Sequence, residues 1–278
     1  MPGAGRPLPP GFVRIERGPV VLVADAEDAG AIERLGLLEP DALARVLAAA
    51  GGPEGRARVA IAALGEDGER LCLRPVRRGG WLGAWLPGAP GGLSRPIAEL
   101  DATARLRAAG APVPRPVCVI AGRRQAAGLA LAVGTAYVEG AVDALRFLEA
   151  GPAPDRVLAA AAAAGVAVRR FHDAGGRHAD LHVKNLLLRD LGARFEAVVI
   201  DLDRARVEPS VSPRARLAEL MRLYRSLVKR HLLARVGARG CARFFASYTG
   251  GDRALRRALR AGLPRERLRL AVHALHYR

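Results

Sequence analysis

The segment HADLHVKN, residues 178–185, places Asp180 and Asn185 in a D-x-x-x-x-N spacing, and Asp201 closes the apolar run AVVID at 197–201. Phosphoryl transfer needs such a trio. One carboxylate orients an attacking hydroxyl and takes its proton, while an amide oxygen and a second carboxylate hold a divalent cation against the phosphates. Each residue alone is weak, and it is the order and spacing of all three that point to this chemistry. Lys184 lies in the same loop, where it either reaches a phosphate or faces solvent. Asp203 is either a third metal ligand or the hydrogen-bonding residue that fixes the turn DLDR. His172, His178 and His182 have no Cys or paired carboxylate at metal-ligand spacing and read as structural histidines.

Side chains on a loop can be aimed only if rigid elements flank it. VLAAAAAAGVAVRRFHDAGGRH (157–178) reads as a long buried helix stopped by Gly175 and Gly176, NLLLRD as a short strand, LG as a turn and FEAVVID as a second strand ending at Asp201. Upstream, GRARVAIAALGEDGERLCLRPVRRGG (55–80) has two apolar runs around GEDG and predicts a β-hairpin. SRPIAELDATARLRAAG (94–110) has the serine start, periodic apolar positions and terminal glycine of a helix, and strands are predicted at 116–121 and 129–135. VEGAVDALRFL (138–148) passes from a turn into a helix, and the pattern stays helical to 174 except at AGPAP. GPVVLVADA (18–26) suggests a strand and EPDALARVLAAAG (39–51) a helix. The change of pattern near residue 138 divides the chain into an N-terminal extension of uncertain structure (1–50), a β-rich lobe (51–137) and a helical lobe carrying the catalytic loop (138–278).

A chain of 278 residues can bury a full core and suggests two modest lobes. Its charge is regional: residues 214–278 hold +14 of the total of +17, and only two of the 44 basic residues, Lys184 and Lys229, are lysine. A concentrated basic region fits an anionic partner, the alternative being a solvated face of purely compositional origin. In RLAELMRLYRSLVKRHLL (216–233), helical spacing puts Leu217, Leu220, Met221, Tyr224, Leu227 and Val228 on one face, with Arg222, Arg225 and Lys229 opposite. That apolar stripe is expected to pack into the lobe and leave the basic face to meet lipid. Interleaved aromatics are missing from the region, which argues against a single-strand nucleic-acid surface, and no specific nucleic acid is expected. Cys72, Cys118 and Cys241 form no CxxC and indicate neither zinc nor disulfides. The apolar runs are too short to span a bilayer and the first residues lack a signal-peptide core, so a cytoplasmic location is expected.

HADLHVKNLLL followed by AVVIDLDRARV resembles the catalytic loop and metal-binding segment of the protein-kinase-like fold. The closer resemblance is to the bacterial lipopolysaccharide kinases, especially the kinases of 3-deoxy-D-manno-octulosonic acid (Kdo). It takes in LCLRPVRRGGW (71–81), GAPVPRPV (110–117) and LMRLYRSLVK (220–229), and so covers roughly residues 55–250. The resemblance implies an α+β, two-lobed protein-kinase-like fold, with a small β-rich N-terminal lobe and a larger helical C-terminal lobe. It implies ATP and Mg²⁺, with Asp180 as catalytic base, Asn185 and Asp201 on the metal, and His178 supporting the loop. Glu99 matches the acidic partner of the phosphate-anchoring cation, which falls on Arg74 where an ordinary protein kinase has lysine. Arg77 and Arg78 are the substitutes for Arg74. Gly55, in GGPEGRARV (51–59), either cradles the phosphates or serves an ordinary turn.

The expected activity is a phosphotransferase moving the γ-phosphate of ATP to a hydroxyl of the Kdo sugar on a lipid A precursor. The protein would be peripheral on the cytoplasmic face of the inner membrane. Only RARVEPSVSP separates Asp203 from the next helix, too short a platform for a protein substrate. The alternatives are a kinase of the same fold acting on heptose, another small molecule or a protein, and an inactive nucleotide- or polyanion-binding pseudokinase.

Overall fold

Unbroken apolar runs along VVLVAD and PVCVIAGR make strands that are buried on both faces, and such strands belong in the middle of a sheet covered on both sides. The computed structural model, which describes residues 7–49, 59–65, 68–76, 93–123 and 129–276, builds that sheet. The chain divides into two units, Met1–Ala104 with Pro114–Val138, and Arg105–Val113 with Glu139–Arg278.

The first unit contains β1 (Phe12–Arg17), β2 (Val20–Asp25), α1 (Ala29–Arg34), α2 (Ala42–Ala49), β3 (Ala60–Ala63), β4 (Arg70–Pro75), most of α3 (Ser94–Ala108), β5 (Pro116–Arg123) and β6 (Leu129–Ala136). The strands form one six-stranded sheet in the order β1-β2-β5-β6-β4-β3, with every pairing antiparallel. Leu22, Cys118 and Ile120 face one side, where they pack with Ile32, Leu37, Leu38 and Leu43 from the α1–α2 segment. Val23, Val119 and Val133 face the other, against Ile97 and Leu100 of α3.

The sequence reading set residues 1–50 apart from the β-rich lobe, and the structure corrects this. Val21–Ala24 pair with Cys118–Ala121, so the N-terminal hairpin is part of the sheet. A cluster within the unit ties the same region down: Arg115 reaches Asp28 at 2.5 Å and Glu69 at 2.6 Å. The sequence-based boundaries missed it because a strand's partner is a long-range fact that local pattern does not carry.

The second unit contains β7 (Ala141–Asp143), α4 (Ala144–Glu149), α5 (Pro154–Asp173), β8 (Gly176–Arg177), a 3-10 turn (Val183–Asn185), β9 (Leu186–Asp190), β10 (Phe195–Val199), β11 (Arg206–Val207), α6 (Pro213–Lys229), α7 (Leu233–Thr249) and α8 (Arg253–His276). Helix α5 begins with Pro154 at its first turn, where a missing N–H costs nothing. Its Gly165 lets α7 approach so closely that a Cβ there would lie 2.4 Å from the Phe244 carbonyl oxygen. Around α5, Val168, Phe171, Leu181 and Leu186 build the core beneath the D-x-x-x-x-N loop. The β-rich first unit and helical second unit form the expected α+β architecture. Among the described residues no helix is long and apolar enough to cross a membrane.

Helix α6 starts at Ser212, whose hydroxyl accepts from the Ala215 N–H, and buries Leu217 and Leu220 of the stripe together with Leu223, which the stripe had left out. Three of its residues depart from the helical-wheel assignment. Tyr224 and Val228, placed on the apolar face, are 37% and 46% exposed. Arg222, placed on the polar face, turns inward and donates to the His178 carbonyl at 3.1 Å.

Candidate active site

The D-x-x-x-x-N loop runs between β8 and β9, and its backbone is held from several sides. The Asp180 N–H donates to His178 Nδ1 at 3.1 Å, and the Asp180 carbonyl accepts from Asn185 Nδ2 at 2.9 Å. Both faces of the Asp180 residue are therefore fixed by side chains of its own loop. Asn185 is buried, its N–H donates to the His182 carbonyl at 2.8 Å, and its carbonyl accepts from Ile200 N–H at 3.0 Å. The Asp180 carboxylate itself stays out in solvent, with its side chain 72% exposed and Oδ2 lying 3.5 Å from His182 Nε2. A clamped backbone with a free carboxylate is what a general base requires.

His178 links this loop to the segment bearing Asp201. Its Nδ1 accepts from Asp180, so the proton is on Nε2, which donates to the Ile200 carbonyl at 3.0 Å. Burial holds its pKa below the ordinary histidine value, which keeps the ring neutral and this tautomer in place. Asp201 follows two residues beyond the end of β10 and has φ 64°, a left-handed conformation that costs a non-glycine residue about 1 kcal/mol. Aspartate tolerates that region better than most residues, and strain of this kind collects at functional positions.

Beneath the loop is Glu219 of α6, 1% exposed. Its Oε2 accepts from the His178 N–H at 2.9 Å and from His172 Nε2 at 3.1 Å, and its Oε1 accepts from Arg177 Nε at 2.8 Å. Burial works to raise this carboxyl, but the donors from His172, Arg177 and His178 outweigh it and leave the pKa below the usual range. The Val183 N–H is held in turn by the Ser226 hydroxyl at 3.1 Å. Sequence reasoning missed Glu219, Arg222 and Ser226. A signal for Glu219 was present, because it is the one acid between residues 214 and 251 and its spacing puts it between Leu217 and Leu220.

In the first unit, Arg74 of β4 and Glu99 of α3 form an ion pair at 2.5 Å, with side chains 25% and 6% exposed. The guanidinium thus has a buried acid beside it that fixes one edge and neutralises part of its charge. Arg77, Arg78 and Gly55 lie outside the described residues. Lys184, in the 3-10 turn, is half-buried and forms no ion pair with the described residues. His172 and His178 are buried and hydrogen-bonded within the unit, and His182 lies in the loop with Nε2 3.5 Å from Asp180 Oδ2; among the described residues no three or more His, Cys, Asp or Glu side chains cluster as a metal site. Asn185 and Asp201 nevertheless suit a hard cation. The Asn185 amide nitrogen is committed to the Asp180 carbonyl, which leaves its oxygen as the donor it would offer a cation, and Asp201 would offer a carboxylate.

An apolar pocket of about 370 Å³ opens within the helical unit, lined by Phe147, Leu220, Met221, Tyr224, Phe245 and Leu263 among others. Val183 and Leu186, on either side of Asn185 in the loop, form part of its wall.

A clamped D-x-x-x-x-N loop, an aspartate in left-handed conformation after β10 and an ion pair between Arg74 of β4 and Glu99 of α3 fit a phosphotransferase of the protein-kinase-like class. Comparison with known proteins narrows the class. The model of the family described as Lipopolysaccharide kinase (Kdo/WaaP) matches residues 89–248. The chain belongs to that family. Among solved structures it is similar to "WaaP in complex with acyl carrier protein", with 26% identity, a TM-score of 0.53, and coverage of 82% of this chain and 91% of that one. Glucosamine kinase aligns at 19% identity over 93% of this chain and 84% of that one, with a TM-score of 0.38, too low to bear on fold or function. No curated protein matches.

Proposed function

We propose that this lipopolysaccharide kinase transfers the γ-phosphate of ATP to a hydroxyl of the Kdo sugar on a lipid A precursor. The observation that carries the reading is Asp180, whose peptide is fixed on both sides by His178 and Asn185 while its carboxylate stays free. That carboxylate takes the proton of the acceptor hydroxyl as the oxygen bonds to the γ-phosphorus and the bond to the β-phosphate oxygen breaks. Arg74, oriented by Glu99, anchors the nucleotide phosphates, and a planar guanidinium can do so through two hydrogen bonds. Asn185 Oδ1 and the Asp201 carboxylate would hold Mg²⁺, which when bound neutralises charge on the phosphates.

Two features favour a lipid-linked sugar over a protein acceptor. Only nine residues, 204–212, separate Asp203 from α6. The apolar pocket beside the catalytic loop also has the lining and size to take part of an acyl chain. The outward-facing cations Arg225, Lys229, Arg230, Arg239 and Arg243 would then meet an anionic membrane surface, where each adds about 1 kcal/mol of attraction. The site of action is accordingly proposed to be the cytoplasmic face of the inner membrane.

The test supplies Mg²⁺ and labelled ATP with a panel of Kdo-lipid A, heptosylated core and general protein substrates. Label on Kdo-lipid A that disappears when the Kdo hydroxyls are blocked is expected. Transfer to heptose alone, or to protein alone, would replace the acceptor.

A further inference from the structure

The hydrogen bonds under the catalytic loop continue beyond Glu219 into the core and end on α7. Tyr248 is fully buried, and its hydroxyl lies 2.7 Å from His172 Nδ1. His172, also fully buried, places Nε2 on Glu219 Oε2. A carboxylate can only accept, so the proton between them belongs to Nε2. Burial lowers the His172 pKa against the pull of Glu219, the ring is neutral, and Nδ1 must accept. Burial likewise pushes the Tyr248 hydroxyl up to about 12, so it keeps the proton it donates. The other charged groups facing His172 are Arg216 and Asp173, which bind one another at 2.7 Å, and Arg177 beyond Glu219.

The donors therefore converge on Glu219 from two sides, from α7 through His172 and from the catalytic loop through His178. The Tyr248 O–H donates to His172, His172 Nε2–H to Glu219, and Glu219 receives the His178 N–H; His178 Nδ1 in turn receives the Asp180 N–H. We propose that Tyr248 and His172 are positioning residues for phosphoryl transfer, holding Glu219, and through it the peptide of Asp180, in the reactive geometry. The proposal rests on Asp180 being the base. Phenylalanine would fill the Tyr248 site equally well, and a hydroxyl taken into an apolar core without a specific partner is a net cost. Without that hydroxyl His172 Nδ1 is orphaned. A flip to the other tautomer would then set the Nε2 lone pair against the Glu219 carboxylate, and the carboxylate would swing off the His178 N–H.

Tyr248→Phe keeps the ring and removes only the donor. Its kcat should fall about tenfold, since small displacements of a catalytic group carry large rate penalties. KM for ATP should stay within about twofold, because Arg74 and the metal ligands are untouched. Nitrogen NMR of labelled histidine should show His172 as the Nε2–H tautomer in the native protein at neutral pH, and a tautomer mixture in the variant. Native kcat in folded Tyr248→Phe, or a loss confined to KM, overturns the proposal. So does an Nδ1–H or doubly protonated His172 in the native protein, a measurement that stands even if the variant does not fold. Absence of phosphoryl transfer by the native protein would instead defeat the proposed function.

Discussion

The catalytic loop and the basic helices α6 to α8 belong to the same unit and treat charge in opposite ways. Around residues 177–185, Glu219 is buried under three donors, two histidines are kept neutral, and the Asp180 carboxylate meets solvent. On α6 and α7, Arg225, Lys229, Arg230, Arg239 and Arg243 project outward and form no ion pair with the described residues. The first arrangement fixes atoms to within fractions of an ångström. The second needs only density of charge. Substitutions in the loop should therefore act through geometry, one residue at a time, and those on the basic face through their sum.

The largest effect is expected at Asp180. Asp180→Asn should lower kcat about 10³-fold, the scale of a lost general base, while ATP affinity and the thermal midpoint barely change because the side chain is mostly exposed. Single-turnover kinetics beside a nucleotide titration check this, and a variant with more than a tenth of native kcat would dissolve the contrast between the two regions.

Arg74 comes next. Arg74→Ala should weaken ATP use about 100-fold and also lower stability, because it removes a cation from beside the 7% exposed Glu99 carboxylate. Arg74→Lys should recover part of both, since it keeps the charge and loses the two-pronged contact. Steady-state kinetics and urea melts of the pair separate the two consequences. A harmless Arg74→Ala would transfer the anchoring role elsewhere.

A smaller effect follows from the buried histidines. In the unfolded chain they titrate near 6.5, and in the fold His172 and His178 are depressed below that by burial. The unfolded state then binds more protons, so stability is complete above pH 6.5 and declines as pH falls toward the folded values. Glu219, also depressed, adds its own loss only below its ordinary 4.5. Urea midpoints measured from pH 7.5 to 5 should fall steadily, and His172→Gln should flatten the curve in the upper part of that window.

The smallest effect on chemistry should come from the basic face. Charge reversal at Arg225, Lys229 and Arg239 should release the protein from vesicles rich in acidic phospholipid, more completely as salt shortens the screening length, yet leave turnover of a soluble Kdo acceptor unchanged. Equal binding to duplex DNA at physiological salt would mark the surface as a general polyanion binder. Arg222 is excluded from this set because it holds the His178 carbonyl.

Pattern and spacing alone determined a good deal. The long helix before the loop, the hairpin of β3 and β4, helix α3 and the strand pair β5 and β6 were legible because each carries its own periodicity and stop signals. D-x-x-x-x-N was legible because its spacing is local. The tertiary structure alone decided which side chains hold that loop. Glu219, Arg222 and Tyr248 are 39 or more residues from Asp180 in sequence; local pattern marks Glu219 as a lone acid but not what it holds, and marks the other two not at all. Arg222 reads as solvent-facing on a helical wheel, and Tyr248 as one more aromatic. The N-terminal strands illustrate the same limit, since β2 finds its partner β5 nearly a hundred residues away. Periodicity reports which face of an element is apolar, whereas the identity of the group waiting across that face depends on how distant segments meet. A buried hydrogen bond is worth making only when both of its partners arrive there.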